Sequence, residues 1–170
     1  MDKPIAIITG ASTGIGRSLS IKLSNQYFIY LISRNKENLN KTKELINIQN
    51  NDCKIIVSDI SKNESINDIY SQIEHKEKIE LLINNAGIGI FKNITDTSIK
   101  DWNNTLNTNL RGSFLMTKMI IDNLKTKKDG KIVFISSVAG LQPYKNSTAY
   151  VASKYGLRGF AASLREELRE

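Results

Sequence analysis

The chain has one cysteine, Cys53, and one histidine, His75. A single cysteine excludes an internal disulfide, and the expected compartment is the cytoplasm. Cys53 stands at the entry of an apolar run and reads as a small core residue rather than a reactive thiol. The lone histidine lies among Glu and Lys with no Cys/His cluster at metal-ligand spacing, so no metal site is expected. No apolar run approaches the roughly 18 residues that a membrane helix needs. The N-terminus, Met1-Asp-Lys-Pro4, leads into a short apolar run and a glycine turn, without the long apolar core and cleavage site of a signal peptide. Acids are the minority charge, 17 Asp and Glu against 24 Lys and Arg, which leaves a net charge of +7. Such an excess invites a nucleic-acid or anionic-membrane reading. The lysines are scattered, however, with acids between most of them. The densest patch, Lys125-Thr-Lys-Lys128, has the form of a helix C-terminal turn, where cations suit the dipole. The charge is therefore read as solvated faces, and neither a nucleic-acid nor a membrane partner is expected.

What is present suits one globular domain spanning residues 1–170, with 40% hydrophobic and 24% charged residues. PIAIIT at residues 4–9 is short, unalternating and followed by glycine, as in a strand buried on both faces of a parallel sheet. Next comes Gly10-Ala-Ser-Thr-Gly14-Ile-Gly16, then a helix with Ile15, Leu19 and Leu23 on one side. Strand, glycine turn and helix together form a phosphate-site pattern. Glycines let the backbone approach a pyrophosphate, and the helix start offers free N–H groups around Ser12, Thr13, Gly14 and Ile15. A tight turn with a packing glycine is the competing reading of this segment. A second strand, residues 27–33, ends at Ser33-Arg34 without a carboxylate. A carboxylate there would bind the ribose 2′-hydroxyl of NAD, whereas an arginine pairs with the 2′-phosphate of NADP. NADP(H) is therefore the expected cofactor and NAD(H) the second choice. A surface arginine opening a helix is the alternative role for Arg34.

The pattern continues with a helix over residues 35–49 (apolar members Leu39, Leu45, Ile46 and Ile48), a strand over 54–58 and Asp59-Ile60. Asp59 either caps the next turn or reaches an adenine. A helix over 61–76 and a strand over 79–83 lead into Asn84-Asn85-Ala86-Gly87, whose small residues suit a backbone bordering a ligand crevice. A loop, FKNITDTS, opens a long helix over 99–125 with Trp102, Leu106, Leu110, Phe114 and Met119 as apolar positions. Asn109 and Gly112 sit in its middle, where both are poor helix formers. A fifth strand covers 131–137, and a final helix runs from 149 to 169. Strands alternating with helices throughout predict an α/β, doubly wound parallel sheet of Rossmann type.

The final helix carries Tyr150-Val-Ala-Ser-Lys154, thirteen residues after Ser137. Positions i and i+4 share a helical face. A free phenol has a pKa of about 10, and a fixed ammonium nearby favours the phenolate. Such a phenol can act as general acid or base at an alcohol or carbonyl oxygen. An ordinary pair on a helix surface is the bland alternative when the motif is taken alone.

Taken together, Thr9-Gly10-x3-Gly14-x-Gly16, Asn84-Asn85-Ala86-Gly87, Asn109 in N-x-x-G, Ser137 and Tyr150-x3-Lys154 resemble the short-chain dehydrogenase/reductase family, in its order and at its approximate spacings. The resemblance implies an oxidoreductase that transfers a hydride between NADP(H) and a small-molecule carbonyl/alcohol substrate. It implies Tyr150 as proton donor and acceptor, Ser137 as a hydrogen-bond donor to the substrate oxygen, and Lys154 on the nicotinamide ribose. Asn109 would hold a water linking Lys154 to solvent. It also implies assembly as a homodimer or homotetramer through the two long helices. Members usually continue after the last helix seen here with a sixth strand, a Pro-Gly-containing loop, further helices and a seventh strand. The sheet is therefore expected to lack its usual last strands and to expose the edge of the fifth. A non-catalytic dinucleotide-binding module, or an inactive fragment of such an enzyme, is the rival expectation. The substrate is not readable, though Ala139, Gln142 and Tyr144 are expected near its pocket.

Overall fold

The structure, a computed structural model, describes residues 3–127 and 129–169. The first two residues, the last lysine of the basic patch at 125–128 and the terminal Glu170 lie outside the described residues. Five parallel strands, β1 (Ile5–Thr9), β2 (Phe28–Ser33), β3 (Cys53–Val57), β4 (Ile79–Asn84) and β5 (Lys131–Phe134), form one sheet in the order β3-β2-β1-β4-β5. The order reverses between β1 and β4, which opens a crevice at the strands' C-terminal ends. The helices are α1 (Gly14–Leu23), α2 (Lys36–Asn47), α3 (Asn63–Gln72), α4 (Ile99–Leu106), α5 (Gly112–Lys125) and α6 (Thr148–Glu167). Among the described residues, no helix is long and apolar enough to cross a membrane.

Alternation along the strands splits the core in two. Ile5, Ile7, Tyr30, Ile32 and Leu82 face Ile66 and Ile69 of α3 and Met116, Ile120 and Leu124 of α5. Ala6, Ile8, Ile29, Leu31, Leu81 and Ile83 face α1 and α2, including Leu39 and Ile46. All five residues of β1 are fully buried, as a central strand covered on both faces requires. Tyr30 stays satisfied in this setting because its hydroxyl accepts the Glu74 N–H at 2.8 Å. β5 is an edge strand. A groove of about 600 Å³ runs beside it between α5 and α6, with Ile132 and Phe134 in its wall. The starts of α2 and α4 are set by side-chain caps: the Asn35 side chain accepts from the Asn38 N–H, and Ser98 and Asp101 form a reciprocal capping box.

Several expectations need correction. Leu19 and Leu23 of α1 pack against the sheet beside the buried Gly16 and Ser20, but Ile15 is 59% exposed. Gly16, where a methyl group would meet Gly10 O, lets the start of α1 approach β1 closely. Leu45 and Ile48 of the α2 region, and Trp102 and Phe114 further on, are also exposed. The long helix over 99–125 is divided by a five-residue π turn, Asn107–Arg111. β5 stops at Phe134, three residues short of Ser137, and α3 ends near Gln72, so His75 sits in a left-handed turn.

Candidate active site

At the reversal point, Thr9 ties the ends of β1 and β4 together. Its hydroxyl oxygen accepts the N–H groups of Asn85 and Ala86, both at 3.0 Å, and donates to Ile83 O at 3.3 Å. Asn85 Nδ2 donates to Thr9 O at 2.9 Å and Gly10 O at 3.2 Å. The Asn84–Gly87 segment is thereby strapped across the glycine turn. Gly10 and Gly14 both have positive φ, +65° and +53°, the region that favours glycine. Gly16 is needed for space: a methyl group there would meet Gly10 O and lie 2.5 Å from Asn85 Nδ2.

A cavity of about 370 Å³ follows from this geometry. Its near wall is the turn and helix start, Gly10, Ser12, Thr13, Gly14 and Ile15. Its far wall holds Ser33, Arg34, Asp59 and Ile60, and its floor holds Asn85, Ala86 and Gly87. Ser33 Oγ donates to Ser12 Oγ at 2.9 Å, joining the first two walls. Asp59 takes the first of its two expected roles, as a cap of the next turn. Its Oδ1 accepts from the N–H and hydroxyl of Ser61, capping the turn, while Oδ2 lies 3.9 Å from Arg34 Nη1 on the cavity side. The Arg34 side chain is 61% exposed, so this pair contributes little on its own and leaves the guanidinium able to take an anion. Of the predicted cofactor residues in the glycine turn, Gly16 packs behind the cavity rather than lining it. Ser58, Ile88 and Thr108 line it without having been singled out.

A second cavity of about 300 Å³ shares Ile15, Asn85, Gly87 and Ile88 with the first and extends to Tyr150 and Lys154. Helix α6 brings these two to one face, with Lys154 Nζ 5.8 Å from the centroid of the Tyr150 ring. Lys154 is only 4% exposed, and burial holds its ammonium pKa below the ordinary lysine value. Its Nζ donates to Ile135 O at 2.8 Å. Asn109, fully buried in the π turn, accepts the Ile88 N–H at 2.8 Å through Oδ1. Its Nδ2 donates to Ile88 O and to Ser153 Oγ, both at 2.9 Å. Ser153 Oγ donates in turn to Tyr150 O at 2.7 Å. A methyl group on Gly87 would lie 3.3 Å from Asn109 Oδ1 and 3.7 Å from Lys154 Nζ, so both side chains reach the same glycine. Gly112 packs on Ile60.

Tyr150, Lys154 and Asn109 are thus assembled around the Gly87–Ile88 backbone. Ser137 lies outside this cavity's lining. Its hydroxyl oxygen accepts the Ala139 N–H at 3.1 Å and caps the short turn Val138–Gly140, while its neighbour Ser136 lines the cavity. Leu141, Gln142 and Tyr144 are exposed, Ala139 is buried, and Gln142 Nε2 donates to the Tyr144 hydroxyl at 2.6 Å. Sequence reasoning passed over Gly89, Phe91, Ile135 and Ser136, which also line the cavity. Gly89 and Phe91 lie in a loop without a period, while Ile135 and Ser136 were placed only as members of the strand expected over 131–137.

The family model described as short chain dehydrogenase matches residues 4–170. A 3-oxoacyl-acyl-carrier-protein reductase from Buchnera aphidicola is 36% identical over 168 residues, 98% of this chain and 68% of the relative. An uncharacterized oxidoreductase from Staphylococcus epidermidis is 30% identical over 166 residues, 96% of this chain and 71% of the relative. The solved structure of a metagenomic short-chain oxidoreductase in complex with NADP superposes with a TM-score of 0.91 at 30% identity, covering 98% of this chain and 75% of that one.

Proposed function

The chain belongs to the short-chain dehydrogenase family, and from that premise we propose that it is an NADP(H)-dependent oxidoreductase that interconverts a carbonyl and an alcohol, with Tyr150 as the general acid/base. The observation that carries this reading is the pairing of Tyr150 and Lys154 on one face of α6, in a cavity that shares its wall with the crevice holding Arg34.

The residues present fit a dinucleotide. The turn from Gly10 to Gly16 leaves its backbone open to a pyrophosphate at the start of α1. Arg34 stands at the end of β2, where a 2′-phosphate would meet a bidentate cation. Ser33 and Asp59 offer polar groups beside it. Asn85, Ala86 and Gly87 line the floor that leads to the second cavity. Bound in this crevice, the cofactor would supply the hydride.

The chain's own residues handle the proton and the field. Tyr150 donates its phenolic proton to the substrate oxygen in reduction and accepts it in oxidation. The Lys154 ammonium lies near the ring and favours the phenolate that remains. Asn109 holds the Ile88 backbone and, through Ser153, the first turn of α6, which fixes the position of both groups. Ser137, which lies outside the lining of the Tyr150 cavity, takes from the family resemblance the role of hydrogen-bond donor to the substrate oxygen. Its oxygen is already engaged as an acceptor, so its own proton is free to be donated.

The test is NADPH oxidation against a panel of ketones and aldehydes, with wild type compared to Tyr150→Phe. Turnover should fall at least about 10²-fold in the variant while NADPH binding survives. A Tyr150→Phe protein at full rate would overturn the assignment. Nucleotide binding without turnover in the wild type would favour the non-catalytic module.

A further inference from the structure

Among the described residues, the Tyr150 ring has one cationic and one aromatic neighbour. Lys154 is one. The other is Phe91, whose ring centroid lies 5.5 Å away with the planes at 63°, an edge-to-face contact. Phe91 belongs to the loop between β4 and α4, is 64% exposed and takes no part in either core cluster. Core packing therefore does not explain where this side chain sits.

Gly89 supplies the explanation. Its φ lies outside the left-handed region, so its backbone conformation does not call for glycine. The position of the Phe91 ring does depend on it: a methyl group there would stand 2.7 and 2.8 Å from Phe91 Cζ and Cε2 and push the exposed ring aside. The aromatic ring is folded down onto the bare backbone two residues before it, and that fold brings it against Tyr150. Among the described residues, no side-chain hydrogen bond orients the phenol. Edge-to-face contact is the favoured arrangement for two aromatic rings, and a general acid must hold its geometry closely to work.

We infer that Phe91, seated on Gly89, is a positioning residue that holds the Tyr150 ring in its orientation on the cavity wall. The inference rests on the reading of Tyr150 as the acid/base group for its functional consequence, but its structural content stands apart from turnover. The same ring forms an apolar flank beside the reacting position, together with Ile15, Ile88 and Ile135.

Two readouts test it on the 170-residue chain. The first is NMR of tyrosine-ring-labelled protein, with the Tyr150 signals identified by their loss in Tyr150→Phe. In Phe91→Ala and in Gly89→Ala the nuclear Overhauser contacts between the Tyr150 ring and Lys154 should weaken, which loss of the Phe91 ring current alone does not cause, while those of the other tyrosines stay in place. Unchanged contacts between Tyr150 and Lys154 in both variants would overturn the inference. The second is turnover. In both variants kcat should fall about three- to tenfold, the range that an aromatic pair contributes, with KM for NADPH unchanged. Phe91→Tyr, which keeps a ring, should restore the rate and Phe91→Leu should not. Equal kcat in wild type and Phe91→Ala would also overturn it. Absence of wild-type turnover with every carbonyl would instead sink the reductase reading, and the NMR signals would still decide whether Phe91 positions Tyr150.

Discussion

Lys154 Nζ donates its 2.8 Å hydrogen bond to the main-chain oxygen of Ile135, the residue that follows β5. The final helix is thereby tied to the end of the sheet by a buried ammonium. Burial disfavours the charged form and lowers the folded-state pKa, whereas the unfolded chain keeps a lysine value of about 10.4. Between those two values the unfolded state binds more protons than the folded one, so stability rises with pH across that window and the cost of burial is fully present below it. The Lys154→Met variant loses this dependence. Relative to that variant, wild type should gain stability as pH rises through the window, with a slope of up to about 1.4 kcal/mol per pH unit. Denaturant unfolding of both proteins between neutral pH and about pH 10 measures it. Parallel curves would show that the ammonium is not held in a desolvated site.

Arg34 gives a prediction about selectivity. A hydrogen bond to a charged group contributes about 1.5–3 kcal/mol, or roughly 10- to 100-fold in affinity. Arg34→Ala should weaken NADPH binding by that factor and change NADH binding by less than about threefold, as read by fluorescence titration. The difference should shrink at high salt, because the guanidinium is exposed. Equal loss for both nucleotides would place the effect elsewhere than at the 2′-phosphate.

Asn109 was readable as an anomaly before its role was. An asparagine in the middle of a helix asks for a reason, and the structure supplies one: a π turn that turns its amide onto both backbone groups of Ile88. Nothing in residue spacing announces a π turn, since it changes a hydrogen-bond register and not a polarity pattern. The glycine turn, the Arg34 position and the Tyr150/Lys154 pair were legible because each couples a residue type to a place fixed by strand–turn–helix order or by helical spacing. On the apolar side of α1, Leu19 and Leu23 pack on the core as expected, and only Ile15 was misplaced, because the helix meets the glycine turn through Gly16, which a hydrophobic pattern does not register. Phe91 was missed because a loop has no period, and what places its ring is Gly89. Ser137 was singled out through the family resemblance, but its use as a turn cap depends on where β5 stops.

Removing the Asn109 amide should therefore cost stability as well as activity. Asn109→Ala leaves the N–H and C=O of Ile88 and the hydroxyl of Ser153 without this partner. Each buried polar group left unpaired costs about 1–3 kcal/mol, and water entering the vacated space recovers part of it. A net loss of about 2–4 kcal/mol in urea unfolding is expected. Asn109→Asp keeps the acceptor for Ile88 N–H but buries a carboxylate against Ile88 O, and should lose at least as much as alanine near neutral pH. A loss below about 0.5 kcal/mol in the alanine variant would mean that the π turn does not depend on this side chain.

Gly14 and Gly16 are glycines for different reasons, and alanine separates them. At Gly14 nothing lies within 4 Å of an added methyl group, but φ is +53°. The cost of Gly14→Ala is therefore conformational, about 1–2 kcal/mol, and Gly14→Asn should recover part of it because asparagine tolerates this region. At Gly16 the added methyl group meets Gly10 O and Asn85 Nδ2, both held in the strap across the crevice. Neither is the free end of a flexible side chain, so Gly16→Ala must move α1 away from β1 or break the Asn85 bonds. Its cost should lie at or above the 1–3 kcal/mol typical of overpacking, with no recovery in an asparagine variant. Moving α1 also shifts the N–H groups lining the crevice, so Gly16→Ala should weaken NADPH binding far more than Gly14→Asn. Thermal unfolding with and without NADPH reads both effects together, since a ligand that binds only the folded state raises stability in proportion to RT ln(1 + [L]/Kd). Equal losses at the two positions would mean that the close approach of α1 to the glycine turn is not what holds the crevice in shape.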